Sequence, residues 1–155
     1  MAKEIERKFL VDPAKLPPLK APHAIRQGYL PGCQTATVRL RISNENAFLT
    51  LKGRAAGLSR SEFEYPVPLE DALEMLDELC GPAIIEKKRY LIPHEGHTWE
   101  LDIFEGANEG LIVAEIELSA ENEPFVKPEW ATQEVSFDTR YRNSNLISDP
   151  YNTWV

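Results

Sequence analysis

Glu4, Glu6 and Lys8 are two carboxylates and an ammonium spaced two residues apart. In extended chain, residues at i, i+2 and i+4 share one face. The three therefore project together, and Ile5 and Phe9 take the opposite face with Arg7 between them. The spacing recurs in Arg39 with Arg41, Arg60 with Glu62 and Glu64, Lys87 with Arg89, Glu100 with Asp102, and Glu115 with Glu117. For a single strand, such alternation marks the wet side of an antiparallel sheet. Here the signs cluster by strand, and like charges at i and i+2 repel unless opposite charge or a ligand is near. Guanidinium and ammonium groups grip phosphate oxygens. Carboxylates hold hard divalent cations, often together with substrate phosphates. The set has the chemistry of a metal–polyphosphate site.

Positioning it requires many strands. Glu4–Val11 reads as the first, followed by a Pro-rich loop over Asp12–Pro22 that excludes regular structure. Strands are predicted over Ile25–Leu30, Thr35–Ser43, Phe48–Gly53, Ser59–Val67, Ala83–Pro93, Trp99–Glu105 and Leu111–Leu118, with Pro31-Gly32, Asn44–Asn46, His94–His97 and Gly106–Gly110 as turns. Pro68–Cys80 carries Leu69, Ala72, Leu73, Met75, Leu76 and Leu79 at helical spacing and reads as a packing helix ended by Gly81-Pro82. Glu121–Trp130 reads as a short helix plus loop, and Glu134–Asp138 as an extended piece. Asp138 is expected to cap a terminal helical segment through Tyr141, Leu146 and Ile147.

The strands are mainly antiparallel and numerous enough to close a barrel. With the charged face inward, they enclose a lumen of Arg and Lys on some strands and Asp and Glu on others. Such a lumen is costly without a filling, and a polyanion with divalent cations fits it. The aliphatic faces then point outward. The helix covers only part of them, and a homodimer interface would supply a second cover.

Length and composition set the bounds. A chain of 155 residues with 43% hydrophobic and 27% charged content suits one globular domain over 1–155. The net charge of −8 argues against a nucleic-acid or acidic-membrane binder while leaving room for a concentrated basic site. No apolar run is long enough for a bilayer, and Met1–Glu4 carries no signal pattern, so the cytoplasm is expected. Cys33 and Cys80 have no zinc-site spacing and read as free thiols. His94 and His97 sit at a turn with no third ligand, so they read as surface residues, and His23 has no evident partner. Trp99, Trp130 and Trp154 read as packing residues.

Taken together, Glu4-x-Glu6-x-Lys8 resembles the ExExK signature of the CYTH superfamily, the triphosphate tunnel metalloenzymes. Arg39-x-Arg41, Lys52, Arg60-x-Glu62-x-Glu64, Lys87-x-Arg89, Asp102 and Glu115-x-Glu117 follow in the family's order. ExExK alone is a weak pattern; the ordered set is specific and spans most of the chain. The compact architecture is most similar to the small bacterial inorganic triphosphatases.

The resemblance implies a mainly β, α+β fold. Its centre is a closed eight-stranded antiparallel barrel forming a tunnel, with a few helices packed outside and at the C-terminus. It implies metal-dependent hydrolysis of a linear triphosphate, tripolyphosphate first, with Mg²⁺ or Mn²⁺, two ions with substrate. Adenylate cyclase, thiamine or nucleoside triphosphatase, and a non-catalytic polyphosphate-binding module are the alternatives. Carried over, Lys8, Arg39, Arg41, Lys52, Arg60, Lys87 and Arg89 would bind phosphates, with Lys8 also counted among the catalytic residues. Glu4, Glu6 and Glu117 would hold metal. Glu62, Asp102 and Glu115 would position a second metal or the attacking water, their roles undivided. A C-terminal helix can plug one tunnel end in this family, which would bring Tyr141 and Arg142 there. Tyr29 matches a tyrosine of some bacterial relatives, without a role.

Overall fold

The computed structural model describes residues 3–154. Met1 and Ala2, the first residues of the stretch without a signal pattern, lie outside them, as does Val155. Among the described residues nine strands form one sheet: β1 (Lys3–Val11), β2 (His23–Tyr29), β3 (Thr37–Ser43), β4 (Asn46–Lys52), β5 (Ser59–Val67), β6 (Ile85–His94), β7 (His97–Phe104), β8 (Ile112–Glu117) and β9 (Ala131–Glu134). The order is β5-β4-β3-β2-β6-β7-β8-β1, and β1 pairs back onto β5, so eight strands close into a barrel. Every pairing is antiparallel. β9 lies outside the closure, on β1.

The alternation that predicted the strands also divides their faces. Outward residues of β3 and β4 (Leu40, Ile42, Ala47) meet Ala72, Leu76 and Cys80 from helix α1 (Leu69–Glu78) and the residues after it. Glu70 and Asp71 in the first turn of α1 sit where the helix dipole favours negative charge. Close approach at its far end needs Gly28, since a Cβ there would lie 2.8 Å from the Cys80 Cβ. A second outer core gathers Phe9, Trp99, Leu101, Ile116 and Trp130, with Leu16, Leu19 and Phe125 from the flanking loops laid across it. Loops therefore cover much of the outer face for which the sequence suggested a dimer interface. Leu51, Phe63 and Tyr65 stay exposed.

Four expectations are corrected. The Asp12–Pro22 loop holds a 3-10 turn over Pro13–Lys15, with the Asp12 carboxylate accepting from the Ala14 N–H. Glu121–Trp130 contains no helix. Pro124 and Pro128 cannot donate, and the Glu123 carboxylate instead takes the Ser119 N–H and hydroxyl and pairs with His97. The extended piece is Ala131–Glu134 rather than Glu134–Asp138, because pairing with β1 decides it. Asp138 does cap, accepting from the Arg140 N–H, but only a 3-10 turn over Thr139–Tyr141. Extended backbone at Arg142 separates that turn from α2 (Asn143–Leu146).

The C-terminal segment closes one end of the lumen. Leu146 is buried there with Ile85, Phe104, Leu111 and Val113, and Leu10, Tyr141, Tyr151 and Trp154 pack around them. Ile85 and Val113 keep the spacing of Lys87 and Glu115, so the inward face itself turns from charged to apolar along the barrel. Both cysteines are free. Among the described residues no helix is long and apolar enough to cross a membrane.

Candidate active site

The remaining lumen is a cavity of about 560 Å³. Strand order explains its charge. Going round the wall, β7, β8, β1 and β5 are neighbours, and they carry Glu100, Glu115 and Glu117, Glu4 and Glu6, and Glu62 and Glu64. The other four neighbours, β4, β3, β2 and β6, carry Lys52, Arg39 and Arg41, Tyr29, and Lys87 and Arg89. The lumen thus has an acid arc and a base arc, crossed by Lys8 on β1 and Arg60 on β5. Every predicted site residue lines it except Asp102.

Ion pairs form at the two seams between arcs. At one seam, Lys52 Nζ lies 2.8 Å from Glu4. At the other, Arg89 makes a bidentate pair with Asp102 at 2.8 and 2.9 Å and reaches Glu100 at 3.1 Å and Glu115 at 3.7 Å. Lys87 Nζ lies 2.8 Å from the second Asp102 oxygen. The Asp102 and Lys87 side chains are both fully buried. Both Asp102 oxygens are therefore taken, and the residue stands behind the bases rather than in the cavity. Alternation gave its face correctly but could not give its depth.

Several cations of the lumen are unmatched, on the base arc and across from it. Among the described residues Arg39, Arg41, Arg60, Arg142 and Lys8 have no carboxylate within ion-pair distance. Arg39 is buried, donates once to Thr50 Oγ1, and leaves Nε without a partner. Neutral groups hold two of the others: Arg41 Nε donates to Gln27 Oε1 at 2.7 Å and Lys8 Nζ to the Tyr141 carbonyl at 3.0 Å, while Lys87, already paired with Asp102, also donates to Asn143 Oδ1 at 2.9 Å. Gln27 also donates to Asn143 and Tyr29. These amides solvate the cations without cancelling their charge. Burial, with Arg39 and Arg89 nearby, pulls Arg41 down to about 10. Burial pulls Lys87 down to about 7, opposed by Asp102 and reinforced by Arg89 and Arg41.

The acid arc shows the opposite excess. Burial raises Glu62 to about 8, helped by its hydrogen bond with Glu4. Burial also acts on Glu4, but the Glu62 bond and Lys52 outweigh it and hold Glu4 at about 2. Glu6 is pushed well up by burial and by Glu115, with which it shares a hydrogen bond. Burial likewise acts upward on Glu115, and Lys8, the Glu6 bond and Arg89 prevail and keep it ionised. In each of these pairs one carboxyl is pushed up and its neighbour down, so that one proton per pair is favoured, a proton that a bound divalent cation would displace. Among the described residues no three metal-ligating side chains converge on one point. A cation here would need oxygens from elsewhere, which fits Mg²⁺, a hard ion commonly bound by one or two carboxylates plus phosphates.

Arg7, placed outside by its spacing, pairs with Glu134 at 2.6 Å on the barrel exterior. His97 pairs with Glu123 away from the cavity. Gln27, Thr50, Asn143 and Glu100 are additions to the predicted set. Gln27 shares the inward parity of Tyr29, and Glu100 that of Asp102, so alternation could have found both. Asn143 had no sequence signal.

Comparison with known proteins agrees with this geometry. The chain is 48% identical over 151 residues to an inorganic triphosphatase of Acetivibrio thermocellus, covering 97% of each. It is 39% identical over 150 residues to an inorganic triphosphatase of Nitrosomonas europaea, covering 92% of this chain and 95% of the relative. A crystal structure of an inorganic triphosphatase superposes with a TM-score of 0.67 at 34% identity, covering 95% of both chains. The CYTH domain profile matches residues 2–149. On the barrel, the two arcs and this match, the chain belongs to the CYTH family.

Proposed function

We propose that the protein hydrolyses a linear inorganic triphosphate to phosphate and pyrophosphate inside the barrel, with Mg²⁺ or Mn²⁺. The observation that carries this reading is the split lumen, with the unmatched Arg39 and Arg41 along one arc and crowded carboxylates along the other. Arg39, Arg41, Lys8, Lys87 and Arg89 bind phosphate oxygens and spread the triphosphate along the base arc, joined by Lys52 and Arg60. Phosphoryl transfer is mainly positioning and charge neutralisation, which fixed guanidinium groups supply. Glu4, Glu6 and Glu117 would hold a cation, with Glu115 beside them. When bound, the cation neutralises phosphate charge and acidifies water. The residues then do the rest: Glu62 Oε accepts the proton as water attacks a terminal phosphorus, the bridging P–O bond breaks, and pyrophosphate leaves. Asp102 acts through Lys87 and Arg89 as a positioning residue. Two free thiols, one of them buried, suit a reducing compartment such as the cytoplasm.

The test is one substrate panel of tripolyphosphate, ATP, thiamine triphosphate and pyrophosphate, each with Mg²⁺ or Mn²⁺, following phosphate and cyclic AMP. Tripolyphosphate is expected to turn over fastest. Cyclic AMP as the main product from ATP would overturn the assignment.

A further inference from the structure

Arg60 and Arg142 line three cavities, not one. The tunnel is the first. The second opens at the seam of the barrel, where β1 pairs with β5 only over Lys3–Ile5 and Ser59–Ser61 before turning to β9. It measures about 70 Å³ and sets the carboxylates Glu4, Glu6 and Asp138 beside Lys8, Arg60 and Arg142. The third, about 290 Å³, lies between residues 33–37 and 53–55. It holds Arg54, Arg60 and Arg142 with Thr35 and Thr37, and no carboxylate lines it. In a chain of net charge −8 that is a concentrated positive surface.

The recess is held in place by its own bonds. Arg60 Nε donates to the Gly53 carbonyl at 3.0 Å, and its Nη2 approaches Thr37 Oγ1 at 3.5 Å. Arg54 Nη2 reaches the Gln34 carbonyl at 3.4 Å and ties the two loops together. None of the three guanidinium groups has a carboxylate partner among the described residues. We propose that this recess is a second oxyanion site, outside the tunnel, taking inorganic phosphate or pyrophosphate as it leaves. The proposal rests on the triphosphatase reading. Apolar side chains pack across one end of the lumen, and the narrow seam recess sets three carboxylates against Lys8, Arg60 and Arg142, so it has no net positive charge to draw an anion. Arg60 and Arg142 face both the tunnel and the basic recess, so an anion can move from one to the other without losing guanidinium contact.

The experiment is calorimetric titration of the metal-free full chain with inorganic phosphate and with pyrophosphate. It compares wild type, Arg54→Ala, Arg54→Lys and the tunnel variant Arg39→Ala/Arg41→Ala. Wild type is expected to bind two anions per chain. Arg54→Ala weakens one of them about tenfold or more, the scale of one charge-assisted contact. Arg54→Lys restores part of that, and the tunnel variant keeps the Arg54-dependent site. A single anion site indifferent to Arg54 overturns the proposal. If wild type hydrolyses tripolyphosphate yet lacks an Arg54-dependent site, the triphosphatase reading stands and this one falls. An Arg54-dependent site in a protein that hydrolyses no triphosphate removes the product as its source and leaves a site for free phosphate.

Discussion

Replacing Asp102 by Asn separates a positioning role from metal ligation. Asp102 and Lys87 are fully buried, and Arg89 is nearly so. The substitution keeps the shape and removes the one charge that both cations share. Breaking a buried pair from one side costs about 3–5 kcal/mol. In a chain of this size each kcal/mol is about 2–4 °C in Tm, so a fall of about 6–20 °C is expected. Lys87 already sits at about 7 with Asp102 opposing the effect of burial. Without that opposition it loses its proton more readily, which moderates the loss above pH 7 and weakens the phosphate grip there. Asp102 is held at about 2 against an ordinary 3.8, burial being outweighed by Lys87 and Arg89. Its contribution is therefore present above pH 3.8 and lost as pH falls toward 2. The assay is metal-free thermal unfolding at pH 7 for wild type, Asp102→Asn, Lys87→Met and the double variant. The two sites are in contact, so their effects should fail to add by about 0.5–3 kcal/mol. A Tm within 2 °C of wild type, together with a requirement for at least about tenfold more Mg²⁺, would refute the positioning role and make Asp102 a metal ligand.

Three further outcomes follow from the same geometry. Glu62 is raised to about 8, so its contribution to metal-free stability is present below the ordinary 4.5 and fades as pH rises through 8; Mg²⁺ should therefore release a proton on binding below pH 8 and bind more tightly as pH approaches 8, as seen by titration in buffers of different ionisation enthalpy, and pH-independent binding without proton release would contradict the shared-proton account. Arg39→Met should raise KM for tripolyphosphate at least about tenfold while Tm stays level or rises, because the buried guanidinium has no carboxylate partner; a large Tm loss with unchanged KM would make Arg39 structural. Gly28→Ala should cost about 1–3 kcal/mol in denaturant unfolding, since its Cβ would meet the Cys80 Cβ at 2.8 Å; an unchanged midpoint would show that α1 can shift freely.

Much of this was legible in the sequence because a strand writes its faces at a period of two. Glu4, Glu6 and Lys8, the paired arginines, and Glu115 with Glu117 all landed in the lumen, and Arg7 landed outside. Alternation carries no depth, so Asp102 read like Glu100 although one is sealed behind Arg89 and the other borders the cavity. Nor does it mark where a lumen turns apolar, as at Ile85, Phe104 and Val113. The two arcs follow from the order of strands round the barrel, a tertiary property that no local pattern contains. Asn143 entered through chain folding from the C-terminus, and the 121–130 stretch resisted a helix because Pro124 and Pro128 lack an N–H and its backbone bonds run to Ala120, Asp12 and Ala131.

The most direct test of the central claim is product analysis of tripolyphosphate by phosphorus NMR, with Mg²⁺ and then with excess chelator, in wild type and Glu6→Ala. The account predicts equal phosphate and pyrophosphate from wild type with Mg²⁺, and none with chelator or with the variant. Tripolyphosphate that binds but stays whole with either metal, or full turnover by Glu6→Ala, would contradict it.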